Sequence, residues 1–293
     1  MGYKNNVSKI KEQEESKLIN TNNQLKNIKS NFILKIFFNY IHKRKLLEII
    51  KYNKNIQKRI NKDITHYREY SEKYTSIEIE IIPMKDKYSK FINIKEKDKE
   101  YYHIYFNDNK EKEIKRKNLN EDDKVTKINI IIDYQVTSFS YLFSDCKSIE
   151  SINFKKFYRN NIIDMHGMFY KCLSLKEINF NSFNTNNVTN MSYMFYKCSS
   201  LKKLNLNSFN TNNTTNMNFM FSGCSSLKEL NLNNFNTDNV TYMYRIFERC
   251  SSLKELNLDN LNTHHVITYK YDMFSGCSDE LKLKIKSKYK NFQ

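Results

Sequence analysis

A chain of 293 residues with 39% hydrophobic and 28% charged side chains carries enough apolar material for a packed core, which excludes wholesale disorder. With only four glycines and one proline, it is poorly suited to phosphate-cradling loops or to a fold that needs many tight turns. The formal charge of +17 is spread through both halves, beside an abundance of Asn, Lys, Ile, Tyr and Phe, so it reads as compositional bias and solubility, and no specific nucleic acid is expected as a partner.

Residues 1–29 are polar and asparagine-rich and are expected to form a flexible arm. No apolar core like that of a secretory signal follows the initiator, and no segment approaches the roughly 18 continuous apolar residues of a membrane helix. The expectation is a soluble, cytoplasmic protein with no membrane span. Residues 30–73 read as helical, with NFILKIFFNYI and KLLEIIKYNKNIQKRI separated around His42-Lys43-Arg44. The stretch ILKIFFNYIHKRKLLEII resembles an F-box, in which an ILxxIF helix and a short break precede a leucine pair. The resemblance implies docking through Ile33, Ile36, Phe37, Leu46 and Leu47 to a Skp-type ubiquitin-ligase subunit. Residues 74–126 alternate apolar and polar side chains in SIEIEII, KFINI and YYHIYF, with breaks at EKDKE and NDNKE that suit hairpin turns. A small β region is expected there, covering the N-terminal edge of the C-terminal half.

From residue 127 onward the sequence repeats. All six cysteines, Cys146, Cys172, Cys198, Cys224, Cys250 and Cys277, are spaced by 26, 26, 26, 26 and 27 residues, and a phenylalanine stands three residues before each. Within one unit, Leu201, Leu204 and Leu206 end in the period-2 pattern of a short strand. Val188, Met191, Met194, Phe195 and Cys198 follow the three- and four-residue steps of a short helix. Asn-Thr pairs between the two supply turn and capping chemistry. KINIIID is read as the first strand of the series. At the other end DELKLKIKSKYK alternates Leu281, Leu283 and Ile285 with lysines, which predicts a lysine-edged capping strand.

One such unit cannot bury its own apolar edge, so units must stack. Helices need about 8–10 Å of lateral room against about 4.8 Å for strands, which predicts curvature with the strands inside. The fold class expected is α/β: a curved leucine-rich-repeat solenoid over 127–293, with parallel strands inside and short helices outside, preceded by the small helical and β N-terminal region. The units MFYKCSSLKKLNLNSFNT, MFSGCSSLKELNLNNFNT and IFERCSSLKELNLDNLNT resemble BspA-like leucine-rich repeats, also known as a Mycoplasma-type lipoprotein repeat of unknown function. That resemblance implies a surface adhesin as an alternative role, although no secretion signal or anchor is visible.

No CxxC pair, Gly-rich phosphate loop, GxSxG elbow or HExxH motif occurs. The cysteines are expected to be buried free thiols, and the adjacent His264-His265 a solvated turn. No catalytic residue, cofactor or metal is expected. Recognition of a protein partner is assigned instead to the side chains between the strand leucines, which form three columns on the concave face. These are Ser151, Glu177, Lys203, Glu229 and Glu255; Asn153, Asn179, Asn205, Asn231 and Asn257; and Lys155, Asn181, Asn207, Asn233 and Asp259. Side chains repeating at strand spacing also allow an amide ladder along a column.

Overall fold

The computed structural model describes residues 29–31, 53–60, 72–261 and 270–289. It divides into two compact units, Met1–Ser71 and Glu72–Gln293. In the first, α1 (Lys54–Ile60) buries Ile56 and Ile60 one turn apart, and Asn53 Oδ1 accepts the Ile56 N–H at 3.1 Å to cap its start. The F-box-like positions Ile33, Ile36, Phe37, Leu46 and Leu47 lie outside the described residues.

The second unit is mixed α/β, with few helices. Five strands are β1 (Ile77–Pro83), β2 (Tyr102–Phe106), β3 (Ile128–Ile132), β4 (Ile149–Lys156) and β5 (Glu177–Asn179). They form one sheet in the order β2-β3-β1-β4-β5, antiparallel except for the last pair. Strict alternation drives β1 and β3: Ile77, Ile79, Ile81, Ile128, Ile130 and Ile132 are buried, and the residues between them are half-buried. KINIIID is therefore not the first repeat strand. Its β3 pairs with β1, as in Ile79↔Ile130, and β1 stands between it and β4. The spacing explains this, because Ile128 precedes Ile149 by 21 residues and falls out of step with the 26-residue unit. By pairing with β4, β1 occupies the backbone edge that the first repeat would leave open.

The repeats continue through β5, then β6 (Glu229–Asn231) and β7 (Glu255–Asn257), which pair in parallel with Glu229 beside Glu255. Residues 203–205 occupy the same place in the intervening unit and belong to neither sheet.

Before the last unit, in which Lys270–Phe274 is a short 3-10 helix, the other side of each unit is not a helix. Met191, Tyr193, Phe195 and Lys197 donate their N–H groups to the carbonyls of Asn216, Asn218, Met220 and Ser222 in the next unit, at 2.7–2.9 Å. Between them, Met194, Tyr196 and Cys198 donate back three residues, at 3.0–3.2 Å. The same alternation joins 139–145 to 164–170, 165–171 to 190–196 and 217–223 to 242–248. In these units a ladder of hydrogen-bonded turns thus replaces the expected outer helices. Its apolar steps of three match turns that close at i+3 as well as they match a helix. Left-handed backbone every fourth residue, as at Tyr193 (φ 57°) and Lys197 (φ 55°), rules the helix out. With a strand-like spacing on this side too, the argument for curvature from helix width no longer applies.

Turns are abundant despite the scarcity of glycine, and two devices supply them. Asparagine oxygens cap backbone N–H groups two residues on, as Asn184 does for Asn186, Asn210 for Asn212 and Asn190 for Ser192. Ordinary side chains also occupy the left-handed region: before each cysteine stand Asp145, Lys171, Lys197, Gly223, Arg249 and Gly276, all with positive φ. The Arg249 side chain is 71% exposed and its nearest carboxylate, Glu248, is 3.8 Å away. Arg249→Gly is therefore expected to raise the unfolding free energy by about 0.5–1 kcal/mol in chemical denaturation. Unchanged or lower stability would contradict the left-handed assignment.

Between the two sides lies the core. Phe143, Phe169, Phe195, Phe221, Phe247 and Phe274 stack with centroids 5.5–5.8 Å apart and planes within 3–9° of parallel. Each cysteine from Cys172 onward donates its thiol to the carbonyl of the phenylalanine one unit back, as Cys198 does to Phe169 at 3.1 Å. All six cysteines are free and buried. Burial pushes their thiols up, Cys224 to about 12, so the reactive thiolate is suppressed.

The C-terminal cap is a helix, α2 (Asp279–Lys288), and not the expected strand. Ser278 accepts the Leu281 N–H, Asp279 and Glu280 sit in the first turn, and Lys286 and Lys288 in the last. Leu281 and Ile285, one turn apart, are buried, while Leu283 is 68% exposed. The alternation in the sequence is a helical stripe with one solvated leucine.

Candidate functional site

The columns between the strand leucines fall into two parts. Near the N-terminal end Lys155 is already engaged, pairing with Glu80 of β1 at 2.5 Å, and Asn153 stands in strand register with Asn179. Farther along, Lys203, Asn205, Asn207, Glu229, Asn231 and Glu255 are exposed. With Asn257 and Lys288 they line an open groove of about 590 Å³, floored by Leu204, Leu206, Leu230 and Leu256. Glu177, Asn181, Asn233 and Asp259 are exposed on the same columns, outside the groove lining, and Asn179 is half-buried.

The central asparagines do not form the expected amide ladder. Each folds back on its own chain: Asn179, Asn205, Asn231 and Asn257 accept through Oδ1 the N–H of Asn181, Asn207, Asn233 and Asp259, at 2.9–3.0 Å. This turns the chain out of the strand and fixes each side-chain amide. The inter-unit asparagine bonds lie elsewhere, where Asn187, Asn213 and Asn239 donate to the carbonyls of Asn160, Asn186 and Asn212, at 2.6–2.8 Å. Nearby, the buried Thr185 and Thr211 hydroxyls each bond both the carbonyl and the N–H of the matching asparagine in the next unit, at 2.7–2.8 Å.

The groove has mixed polarity. Glu229 and Glu255 are direct neighbours across the β6–β7 pair, so two like charges sit side by side. Lys203 stands at one end. At the other, α2 brings Lys288 to Asp259 at 3.3 Å and the Tyr289 hydroxyl to the Leu258 N–H at 3.1 Å. Against the opposing effect of desolvation, the bonds from Lys288 and Tyr289 hold the Asp259 carboxyl below its ordinary range. Sequence reasoning misses Lys288 and Tyr289 as groove neighbours because alternation points to a strand there; Ser278-Asp279-Glu280, a helix start, is the available signal.

Chemistry-bearing groups elsewhere are scattered. His103 lies between Glu113 (3.0 Å) and Asp133 (3.3 Å), whereas His264 and His265 lie outside the described residues. Among the described residues no three His, Cys, Asp or Glu side chains converge as metal ligands, and no helix is long and apolar enough to cross a membrane.

Comparison with curated proteins and with solved structures gives no match. One family model does match, over residues 116–203, 137–229 and 163–287, which together cover more than half of the chain and contain the turn ladder and all of the groove lining except Lys288. The chain belongs to the family described as Mycoplasma protein of unknown function, DUF285.

Proposed function

We propose that the chain is a non-enzymatic interaction scaffold, a BspA-like leucine-rich-repeat solenoid that binds a protein partner through its strand face. The observation that carries this reading is the groove along Lys203–Asn207, Glu229–Asn231 and Glu255–Asn257. The half-buried Leu256 offers apolar contact at the groove floor, and the rim offers fixed amides and charges of both signs. An extended polypeptide segment suits this shape, since its backbone can bond to the regularly spaced amides.

Photo-crosslinking in native cells tests it. A photoreactive residue at position 205 or 231 is expected to capture the same partner protein, and one at position 213, on the asparagine turn side, is expected not to. Asn205→Arg combined with Asn231→Arg should abolish that adduct in a chain that still folds, although it lowers stability by about 1–3 kcal/mol through loss of the two turn bonds that these side chains accept. Equal adducts from all three positions, or none from 205 and 231, would reject the strand face as the binding surface.

A further inference from the structure

The turn ladder carries a second surface, independent of the strand-face groove. Tyr141, Tyr170, Tyr193, Tyr196, Phe219 and Tyr244 form one continuous, partly exposed aromatic strip across five units. Two ring pairs stack along the direction of the repeats: Tyr170 on Tyr196 at 4.9 Å and 15°, and Tyr193 on Phe219 at 4.7 Å and 17°. Lys171, Lys197 and Arg245 lie over Tyr170, Tyr196 and Tyr244, at 5.0, 5.3 and 4.9 Å.

Two of the four glycines hold this strip in place. A Cβ at Gly167 would lie 2.6 Å from the Tyr141 ring, and one at Gly223 would lie 2.9 Å from the Lys197 stem. Both glycines have positive φ, and so do most residues aligned with them in the other units, so backbone conformation alone does not require glycine there. Close packing of Tyr141 and Lys197 does.

Chemistry narrows what the strip can accept. Ring–ring stacking and the overlying cations occupy ring faces, which leaves little flat surface for a base or a sugar. The stacked rings turn their edges outward, and aromatic edges are the electropositive part of the quadrupole. Arg245 is balanced by Asp272 at 3.3 Å and Glu248 at 3.6 Å. Lys171 and Lys197 have no carboxylate partner among the described residues. With the Tyr141 and Tyr244 hydroxyls bonded to His166 and Asp272, the strip presents positive charge, ring edges and the hydroxyls of Tyr170, Tyr193 and Tyr196, and wants an extended anionic chain.

We propose that this strip binds an acidic, extended polypeptide segment, with Lys171 and Lys197 taking its carboxylates and the tyrosine edges lying along its length. Fluorescence anisotropy of a fluorescein-labelled alternating Glu-Gly peptide, titrated with the full chain, tests it. Saturable binding is expected, weakened about tenfold by Lys171→Gln with Lys197→Gln, which is the loss of two modest charge contacts. Lys202→Gln with Lys228→Gln makes the same charge change at exposed positions off the strip and is expected to weaken binding by less than about twofold. Should the first pair of substitutions lower the melting temperature, Tyr170→Phe with Tyr196→Phe keeps the ring stack and is expected to weaken binding about threefold. Asn205→Arg with Asn231→Arg should leave this binding intact, which separates failure of the strip from failure of the strand face. No saturable binding, equal losses from the two lysine pairs, or tighter binding of oligothymidylate that the strip substitutions abolish would overturn the proposal.

Discussion

Phe195→Ala is expected to lower the unfolding free energy by about 3–5 kcal/mol. The ring is fully buried and stacked on both faces, at 5.5 Å from Phe169 and 5.6 Å from Phe221. Removing it takes away the transfer energy of a large apolar group and leaves a cavity in the middle of the stack, where relaxation would have to move two neighbouring units. For a folded unit of this size the melting temperature should fall by about 10 °C. Phe195→Leu keeps most of the apolar volume without the planar stack and should lose clearly less. If both substitutions cost the same, the planar stack and not the buried apolar volume accounts for the loss. A change within about 0.5 kcal/mol would show that the site is not buried.

The second large effect is expected from a single oxygen. The Thr211 hydroxyl is fully buried and bridges the carbonyl and N–H of Asn236, both at 2.8 Å. Thr211→Val preserves shape and removes both bonds to the part-buried Asn236 backbone, which costs about 1–3 kcal/mol. Thr211→Ser retains the hydroxyl and should recover most of that difference. Little loss in Thr211→Val beside a clear loss in Thr211→Ser would mean that the methyl packing, and not the bridge, holds this corner.

The period of the fold is legible from residue spacing alone. Cysteines and phenylalanines on a 26-residue grid predict stacked units, and Ile178, Leu230 and Leu256 mark the middle residues of β5, β6 and β7. The conformation of the segment before each cysteine is not legible. Steps of three between Val188, Met191 and Met194 fit a helix and a run of i+3 turns equally well. The deciding left-handed residues carry ordinary side chains such as Tyr193 and Lys197. A weak signal exists in Gly167, Gly223 and Gly276, three of the four glycines, all of which take positive φ on the turn side.

Asparagine content misleads in a different way. It looks like compositional bias, yet it supplies the turns that glycine supplies in other turn-rich chains. Asn184, Asn190 and Asn179 each cap a turn within one stretch of the repeat, and Asn187 ties it to its neighbour. The strand-face columns are identifiable by position, but their internal hydrogen bonding is not, because an Asx turn and an inter-unit ladder place the same residue at the same spacing. The aromatic strip is hidden for a related reason. Its tyrosines are spread over three positions of the unit, so no single column of the repeat shows them together.

The alignment of the units depends on their hydrogen bonds on the turn side. Couplings across hydrogen bonds, measured by long-range HNCO spectroscopy on deuterated protein, test this directly. The Phe195 amide nitrogen is expected to couple to the Met220 carbonyl carbon, one unit away, across the 2.9 Å bond. A coupling from Phe195 to the Met191 carbonyl, four residues back, would mean that the segment is a helix and that the ladder does not exist.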